Sequence, residues 1–241
     1  MKRLTFLLIF ALATLACARE KLGYKLSDRL NININARIGM DYLGLDVPDE
    51  IKYTPAHTSD QPGATMGAYH HDPDLVFAVS GLTAGLELRI TDDIALGADF
   101  TWYSLGGSSR DQQEYPPYNS YTYLDADVSE SWLKEPYTEI MWTFYQDRSA
   151  RCSLAFGVGW LSPFKIEYER GWYRWGGYQL DAAHSAEVDA RTYYIRYDVI
   201  FDNDTGVLLQ IHRRDWEGTF DTGHRSRDTS YGFAIGFQYR L

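Results

Sequence analysis

The stretch Thr229-Ser-Tyr-Gly-Phe-Ala-Ile-Gly-Phe-Gln-Tyr-Arg-Leu241 alternates between large, mostly apolar side chains and small or polar ones. The large residues occupy the odd positions from Tyr231 onward, and the small or polar residues occupy the even positions. Successive side chains of a strand point to opposite faces, so the pattern predicts a strand with one apolar face and one face of small or polar side chains. Such a strand suits a closed sheet whose apolar face contacts lipid.

Seven other stretches alternate in the same way. The clearest begins at Leu30 and ends at Tyr42, with apolar residues on even positions and asparagine, arginine, glycine or aspartate on odd ones. Its length exceeds that of most soluble strands and suits a tilted membrane-spanning strand, which needs about 9 to 11 residues. The predicted strands are 30–42, 75–90, 94–105, 137–146, 151–168, 189–201, 207–216 and 229–241.

The connections between these strands alternate strictly in length. Three are short, at about 91–93, 147–150 and 202–206, and four are long, at about 45–73, 106–136, 169–187 and 217–228. Short periplasmic turns, long outer loops and an even number of strands characterise outer-membrane barrels. We therefore predict an all-β, closed antiparallel transmembrane β-barrel of eight strands. Ten strands are possible if the two longest connections each contain a further hairpin.

On these features the chain resembles the small eight-stranded outer-membrane barrels of Gram-negative bacteria. The resemblance covers nearly all of the chain after its first residues and implies a location in the cell outer membrane. It also implies contact with outer-membrane lipid and lipopolysaccharide, and insertion by the barrel-assembly machinery. The final residue is Leu241, whereas most members of that family end in an aromatic residue.

The amino terminus has the composition of a secretory signal. Met1-Lys2-Arg3 precedes an uncharged run that ends in Ala16-Cys17-Ala18. A short basic region, an apolar run too short to span a membrane and an Ala-x-Ala site predict cleavage after Ala18. Residues 1–18 are thus a predicted signal peptide, and residues 19–241 a single barrel domain. Lipidation of Cys17 instead of its removal is an open alternative.

Composition excludes some classes of protein. The formal net charge is −10, which argues against binding to nucleic acid. Once the signal is removed, Cys152 is the only cysteine, so an intramolecular disulfide is not possible. Aromatic residues make up 15% of the chain and the mean hydropathy is −0.37, a profile that soluble β-sandwiches also show. The strand pattern, not the composition, decides the class.

Charged residues recur on the parity that would face the interior. With eight strands the interior is only wide enough for side chains to fill, so we expect these charges to pair and close it. An ion or proton path is the functional alternative. Glycines on the same parity, among them Gly157 and Gly159, would make room for the long side chains. The predicted network comprises Arg37, Asp41, Glu87, Arg89, Asp99, Glu139, Arg196, Asp198, Arg214 and Arg240.

Aromatic residues cluster in two of the predicted outer loops. Together with arginine, exposed aromatic side chains can form contact surfaces for an extracellular protein or a glycan. They could equally pack the loops against each other. The candidate contact residues are Tyr115, Tyr118, Trp172, Tyr173 and Trp175.

Catalytic alternatives rest on acidic residues and histidines of the outer loops. Asp125 and Asp127 with Asp221 and His224 resemble the loop residues with which omptin proteases activate a water molecule. The omptins differ by a one-residue spacing between Asp and His, by ten strands and by greater length. A lipid A-modifying barrel would use His and Ser, but in His184-Ser185 the two side chains of a strand point to opposite faces.

No cofactor or metal site is predicted. His70-His71-Asp72 is the only pointer to a metal, and adjacent histidines of an extended strand rarely bind one ion. We therefore expect a porin-like, non-enzymatic surface protein with a structural, adhesion or interaction role carried by its outer loops. The alternatives are a barrel enzyme, either an omptin-like protease or a lipid A modifier, and then a narrow channel for small solutes.

Overall fold

A computed structural model describes residues 29–54, 69–70, 74–115, 120–130, 135–146, 151–174 and 177–240. The predicted signal peptide and Cys17 lie outside these ranges. Within these ranges the chain is all-β except for one short helix. The elements are β1 (Leu30–Leu43), α1 (Asp49–Lys52), β2 (Tyr53–Thr54), β3 (Tyr69–His70), β4 (Leu75–Arg89), β5 (Ile94–Tyr115), β6 (Ser120–Glu130), β7 (Tyr137–Tyr145), β8 (Cys152–Arg174), β9 (Gly177–Ile200), β10 (Thr205–Phe220) and β11 (Arg225–Arg240).

Nine of the strands form one antiparallel, ring-like sheet. Strand β1 pairs with β4 on one side and with β11 on the other, so the first and last strands meet. The remaining strands continue around the ring in the order β11, β10, β9, β8, then β6 and β7, then β5 and β4. Every strand of this sheet therefore has a partner on both of its sides. Strands β2 and β3 form a separate two-stranded pairing.

Strands β6 and β7 share one position in the ring. β7 pairs with the first part of β5 and of β8, whereas β6 pairs with residues farther along both strands. The sequence predicts eight strands, and the ninth, β6, comes from the stretch 106–136 that we expected to be a loop. The stretches 169–187 and 217–228 are also largely strand, so the prediction of long loops there is wrong.

The outer face of the ring changes character along the strands. We call the end with the connections at 90–93 and 201–204 the short-turn end, and the opposite end the far end. On β9 the outward side chains from Tyr193 to Phe201 are apolar or aromatic, whereas Glu187, Asp189 and Arg191 lie nearer the far end. The apolar belt also includes Ile34, Ile38, Met40, Leu82, Leu96, Ile140, Trp142, Phe156, Ile211, Phe233, Ile235 and Phe237, all of them exposed.

The interior shows the reverse order. Near the short-turn end it contains buried charged and polar side chains, and toward the far end it contains an apolar cluster built around Phe77, Phe164 and Trp216. The segment 44–52, which includes α1, lies within this cluster because Leu45, Val47 and Ile51 are almost fully buried there. The molecule thus has an apolar exterior where its interior is charged, and a charged exterior where its interior is apolar.

Strand β8 passes this boundary with a register shift between Leu161 and Phe164. Before the shift the even-numbered side chains such as Trp160 point outward, and after it the even-numbered side chains such as Ile166 are buried. The extra residues of a bulge turn the following side chains to the other face. Apolar residues therefore stay on even positions along β8 while they move from the exterior to the interior.

In the described ranges, the chain runs from one end of the ring to the other only as strands. Among the described residues, no helix combines the length and the apolar character needed to cross a membrane.

Candidate functional site

A charged cluster fills the interior near the short-turn end. The guanidinium of Arg37 on β1 donates to Asp99 on β5 and to Glu139 on β7, and its Nε donates to Asn35 at 2.8 Å. All three charged side chains are fully buried. Since β5 and β7 are not neighbours of β1, these ion pairs cross the interior instead of running along its wall.

A second arginine completes this cluster. Arg196 on β9 donates to Asp99 at 2.6 Å and to Asp198 at 2.9 Å. Asp99 therefore accepts from two arginines that reach it from different sides of the ring. Gln210 and Gln238 extend the cluster by donating to Glu139 and Asp198 at 3.5 and 3.4 Å. Buried charges are tolerated when every partner is present, and removal of one partner is costly.

A third group lies between the charged and the apolar parts of the interior. Arg214 donates to one oxygen of Asp41 at 2.8 Å, and Nε2 of His212 lies 2.6 Å from the other. The guanidinium carbon of Arg214 also lies 5.6 Å from the ring centre of Trp216. Sequence reasoning missed His212, although it shares the inward parity of β10 with Arg214. The predicted network contains only Asp, Glu and Arg residues.

The other predicted network residues lie around these three groups. Glu87 accepts from Tyr145 and, at 3.1 Å, from Asn31, while Arg89 stacks 4.5 Å above the ring of Tyr145. Arg240 is half-buried at the carboxyl end of β11. All ten predicted residues thus belong to strands of the ring, and eight of them are buried in its interior.

Glycines let tyrosine rings of neighbouring strands lie close against the inner wall. A Cβ on Gly159 would lie 2.2 Å from the hydroxyl oxygen of Tyr137, and one on Gly157 would lie 2.2 Å from Cζ of Tyr194. Both tyrosines are buried. Ion pairs cross the interior at this level and tyrosine rings line its wall, so side chains fill it and no open pore is left.

The segment 44–52 spans the far end of the interior. The backbone N–H of Gly44 donates to Asp228 at 2.9 Å and that of Asp46 donates to Ser226 at 2.8 Å, which fixes the segment to β11. On the other side of the ring, Arg170 of β8 donates to the carbonyl of Glu50 at 2.6 Å. The segment therefore bridges β11 and β8 above the charged cluster.

The four residues of the protease alternative are not brought together. Asp125 and Asp127 lie on β6, where Asp125 pairs with Arg110 at 2.6 Å. Asp221 follows β10, and β8 and β9 stand between it and β6. Asp125 and Asp127 point to the outer face, because they alternate with the buried Leu124, Ala126 and Val128. Asp221 instead contacts His184 of β9 at the far-end rim, and β8 lies between β9 and β6. Residues in these two places do not act on one water molecule. His224 lies in the turn after Asp221.

Asp221 has different partners. One of its oxygens lies 3.1 Å from Nδ1 of His184, and the other accepts the backbone N–H of Ser185 at 2.9 Å. This contact joins the β10–β11 turn to β9 at the exposed far end. Within the described ranges, groups of three or more His, Cys, Asp or Glu that could hold a metal ion are absent.

One carboxyl group of the charged outer surface has a perturbed pKa. Partial burial, followed by the nearby charges of Glu217 and Glu187, raises the pKa of Asp189 above its usual value of 3.8. Asp189 and Glu217 are direct cross-strand partners on β9 and β10. Like charges in this position repel each other.

The predicted aromatic contact residues are described only in part. Tyr115, Trp172 and Tyr173 lie on the far-end extensions of β5 and β8 instead of in loops, with Tyr173 opposite Tyr121 and Tyr178. Tyr118 and Trp175 lie outside the described residues.

Comparisons with known proteins add little to this geometry. A scan of protein-family models finds no match to the chain. A search of curated proteins likewise finds no match. Among solved structures, the chain is similar to the crystal structure of a FadL homologue from Pseudomonas aeruginosa, with 10% identity over 88% of this chain and 90% of that one and a TM-score of 0.26. At that TM-score the likeness carries no argument about the site.

Proposed function

We propose that the chain is an outer-membrane β-barrel with a sealed interior, and that it serves as a non-enzymatic surface protein in adhesion, interaction or support of the membrane. In this proposal the nine strands fill eight positions of a closed cylinder, because β6 and β7 share one. The far end faces the outside of the cell, and the short-turn end faces the periplasm.

The observation that carries the proposal is the pairing of an apolar exterior with a charged interior at the same level of the ring. Side chains such as Ile38 and Phe237 are exposed by 67% and 73%, while Arg37 behind them is exposed by 1%. In water, the exposure of so broad an apolar belt would raise the free energy of the folded protein. In a bilayer the belt is solvated by lipid, and a closed ring leaves no strand edge without a partner.

Charged side chains at the far end of the ring support the surface role. Beyond the belt, the strands continue with outward charges such as Lys165, Glu167 and Glu217, which suit contact with water and with other molecules. The ion pairs around Arg37 and the segment 44–52 support a sealed interior instead of a solute path. The separation of Asp125 from Asp221 argues against the protease alternative.

Site-directed labelling tests the membrane orientation. In a Cys152→Ser background, Thr222→Cys in the far-end turn should react with an impermeant maleimide on intact cells. Asp92→Cys in a short turn should react only after the cells are opened. Equal reaction of both cysteines on intact cells, or recovery of the protein in the soluble fraction, would overturn the proposal.

Conductance measurements test the sealed interior. The purified protein is first reconstituted in proteoliposomes, where protease protection verifies its insertion. After fusion of these proteoliposomes with planar bilayers, the protein should give no stepwise current. Reproducible current steps from the inserted wild-type protein would favour the narrow channel.

A further inference from the structure

Three buried polar atoms converge on the inner wall of the ring beside Gly159 of β8. The hydroxyl of Tyr137 on β7 lies over this glycine, since a Cβ there would be 2.2 Å from the hydroxyl oxygen. Thr192 of β9 is the direct cross-strand partner of Gly159, and Arg214 of β10 is the direct partner of Thr192. The guanidinium carbon of Arg214 lies 5.7 Å from the ring centre of Tyr137. Side chains of three strands thus meet at one position of the wall.

Each of these three side chains has a polar atom without a hydrogen-bond partner among the described residues. The atoms are the hydroxyl oxygens of Tyr137 and Thr192 and Nε of Arg214. The three residues are exposed by 0%, 0% and 1%, so bulk water does not reach them. A buried polar group without a partner destabilises the folded state, and nearly all such groups in native proteins are bonded to protein or to ordered water. Three of them at one place therefore indicate one shared partner.

The chemistry of the three atoms restricts what this partner is. Nε of an arginine only donates, whereas each hydroxyl donates or accepts. A metal ion does not accept from the N–H of Arg214, and the guanidinium charge repels it. An anion would accept from all three groups, but the buried ion pairs around the site already join more carboxylates than arginines. They are Asp41, Asp99, Glu139 and Asp198 with Arg37, Arg196 and Arg214.

We propose that an ordered water molecule binds between Tyr137, Thr192 and Arg214 as part of the folded structure. Its oxygen accepts from Nε of Arg214, and its other hydrogen bonds are made with the two hydroxyls. Three hydrogen bonds are typical of a buried water molecule, and both donors and acceptors are available here. Gly159 and Thr192 are small, which leaves space beside the tyrosine hydroxyl.

This water site deepens the sealed interior of the proposed function and rests on it. Arg214 also pairs with Asp41 at 2.8 Å and lies beside Trp216, so the site is at the border between the charged and the apolar parts of the interior. At this border the water satisfies polar groups that the apolar side chains above them do not. It also joins β7, β9 and β10, since one side chain of each strand binds it.

Urea unfolding of the full chain in lipid vesicles tests the proposal. Thr192→Val keeps the shape of the side chain and removes one partner of the water, so it should lower the urea midpoint by roughly 0.3 to 1 M. Tyr137→Phe should lower it in the same way. The double variant should lose less than the sum of the two single losses, because either substitution already disrupts the shared water.

Thr143→Val is the matched control. The hydroxyl of Thr143 on β7 is also buried without a partner among the described residues, but its cross-strand neighbours are Ala95 and Ala155, which have no polar side-chain atoms. Removal of a buried hydroxyl that has no partner is neutral or stabilising. Thr143→Val should therefore leave the urea midpoint unchanged or raise it.

Two results of the urea series would overturn the proposal. One is a midpoint of Thr192→Val that stays unchanged or rises as it does in the control, which would mean that the hydroxyl binds nothing. The other is a double variant whose loss equals the sum of the single losses, since the two hydroxyls would then have separate partners.

A change of anion separates water from chloride. The wild-type protein should unfold at the same urea midpoint in sodium chloride and in sodium gluconate of equal ionic strength. A higher midpoint in chloride that Thr192→Val abolishes would assign the site to an anion and overturn the proposal. Each of these failures leaves the proposed function intact if the wild-type protein conducts no current and Thr222→Cys still labels on intact cells. Current steps would instead remove the sealed interior itself.

Discussion

Arg196 on β9 and Asp99 on β5 form an ion pair of 2.6 Å across the interior of the ring, and both side chains are buried. Asp99 also accepts from Arg37, so two arginines share one carboxylate. Three strands from separate parts of the sequence are thereby held at one point.

Replacement of this carboxylate should destabilise the protein strongly. Asp99→Asn leaves two buried arginines with incomplete partners, and loss of one member of a buried ion pair costs about 3 to 5 kcal/mol. The measurement is the free energy of unfolding in urea, in lipid vesicles. Glu167→Gln, which removes one partner of the exposed pair with Lys165, is the control and should change stability by less than about 1 kcal/mol. Similar losses in the two variants would mean that water fills the interior.

Lipid contact should distinguish two tryptophans. Trp142 is exposed on the apolar belt by 48%, whereas Trp216 is 1% exposed inside the ring. In vesicles of lipids brominated on the acyl chains, Trp142→Phe should lower the quenchable share of the fluorescence, because it removes an emitter that touches the chains. Trp216→Phe should raise that share. The opposite order would show that the belt does not meet lipid.

Packing around Tyr137 should exclude a methyl group at Gly159. A Cβ there would lie 2.2 Å from the tyrosine oxygen, and Tyr137 is fully buried. Overpacking of this kind costs about 1 to 3 kcal/mol, so Gly159→Ala should lower the free energy of unfolding by that amount.

Gly106 provides the matched control for this substitution. A Cβ on Gly106 would have nothing within 4 Å, so Gly106→Ala should be neutral or stabilising by about 0.4 to 1 kcal/mol. If Gly159→Ala were as well tolerated as Gly106→Ala, the interior would have more room than the Tyr137 contact allows.

Partial burial of Asp189 and its repulsion by Glu217 should make the stability depend on pH. The folded protein raises the pKa of Asp189, so it favours the protonated carboxyl and loses stability as pH rises through that raised value. Asp189→Asn removes this loss and should add a few tenths of a kcal/mol, up to about 1 kcal/mol, at pH 7. The stability gained by Asp189→Asn should shrink as the pH falls toward 3.8, because the wild-type carboxyl then becomes protonated and neutral too.

Urea unfolding at several pH values measures this effect. Asp92→Asn, which changes the charge equally in an exposed short turn, is the control. A gain in stability from Asp189→Asn that stayed constant over this pH range would mean that the charge of Asp189 is not its cause.

The sequence predicted the part of the fold that carries the apolar belt. Alternation from Leu30 to Tyr42 predicted β1 to within one residue, and the short turn at 91–93 separates β4 from β5 as expected. The reason is physical, because side chains on the two faces of this part meet opposite environments and the alternation is strong. The same parity predicted that Arg37 and Asp99 point to the interior, where both side chains are buried.

The sequence did not predict the strands at the far end, because the alternation of apolar and polar residues is weaker there. It also places the apolar residues on the inner face of the ring instead of the outer one. In β5 beyond Leu105, glycine, serine and glutamine fill both faces, so no alternation is left. In β6 the buried Leu124, Ala126 and Val128 do alternate with polar residues, but three apolar residues are a short run. The partners of Arg37 across the ring depend on the curvature of the sheet, which periodicity within single strands does not encode.

The seam between β1 and β11 has a consequence for how the molecule assembles. It joins residues such as Asn33 and Arg240 that are roughly 200 positions apart, and contacts between such distant residues form late and slowly. Until β11 arrives, one side of β1 has unsatisfied backbone groups, and an unpaired edge of this kind attracts strands of other chains. A chaperone that masks this single edge would therefore protect the nascent chain from aggregation at its most vulnerable stage.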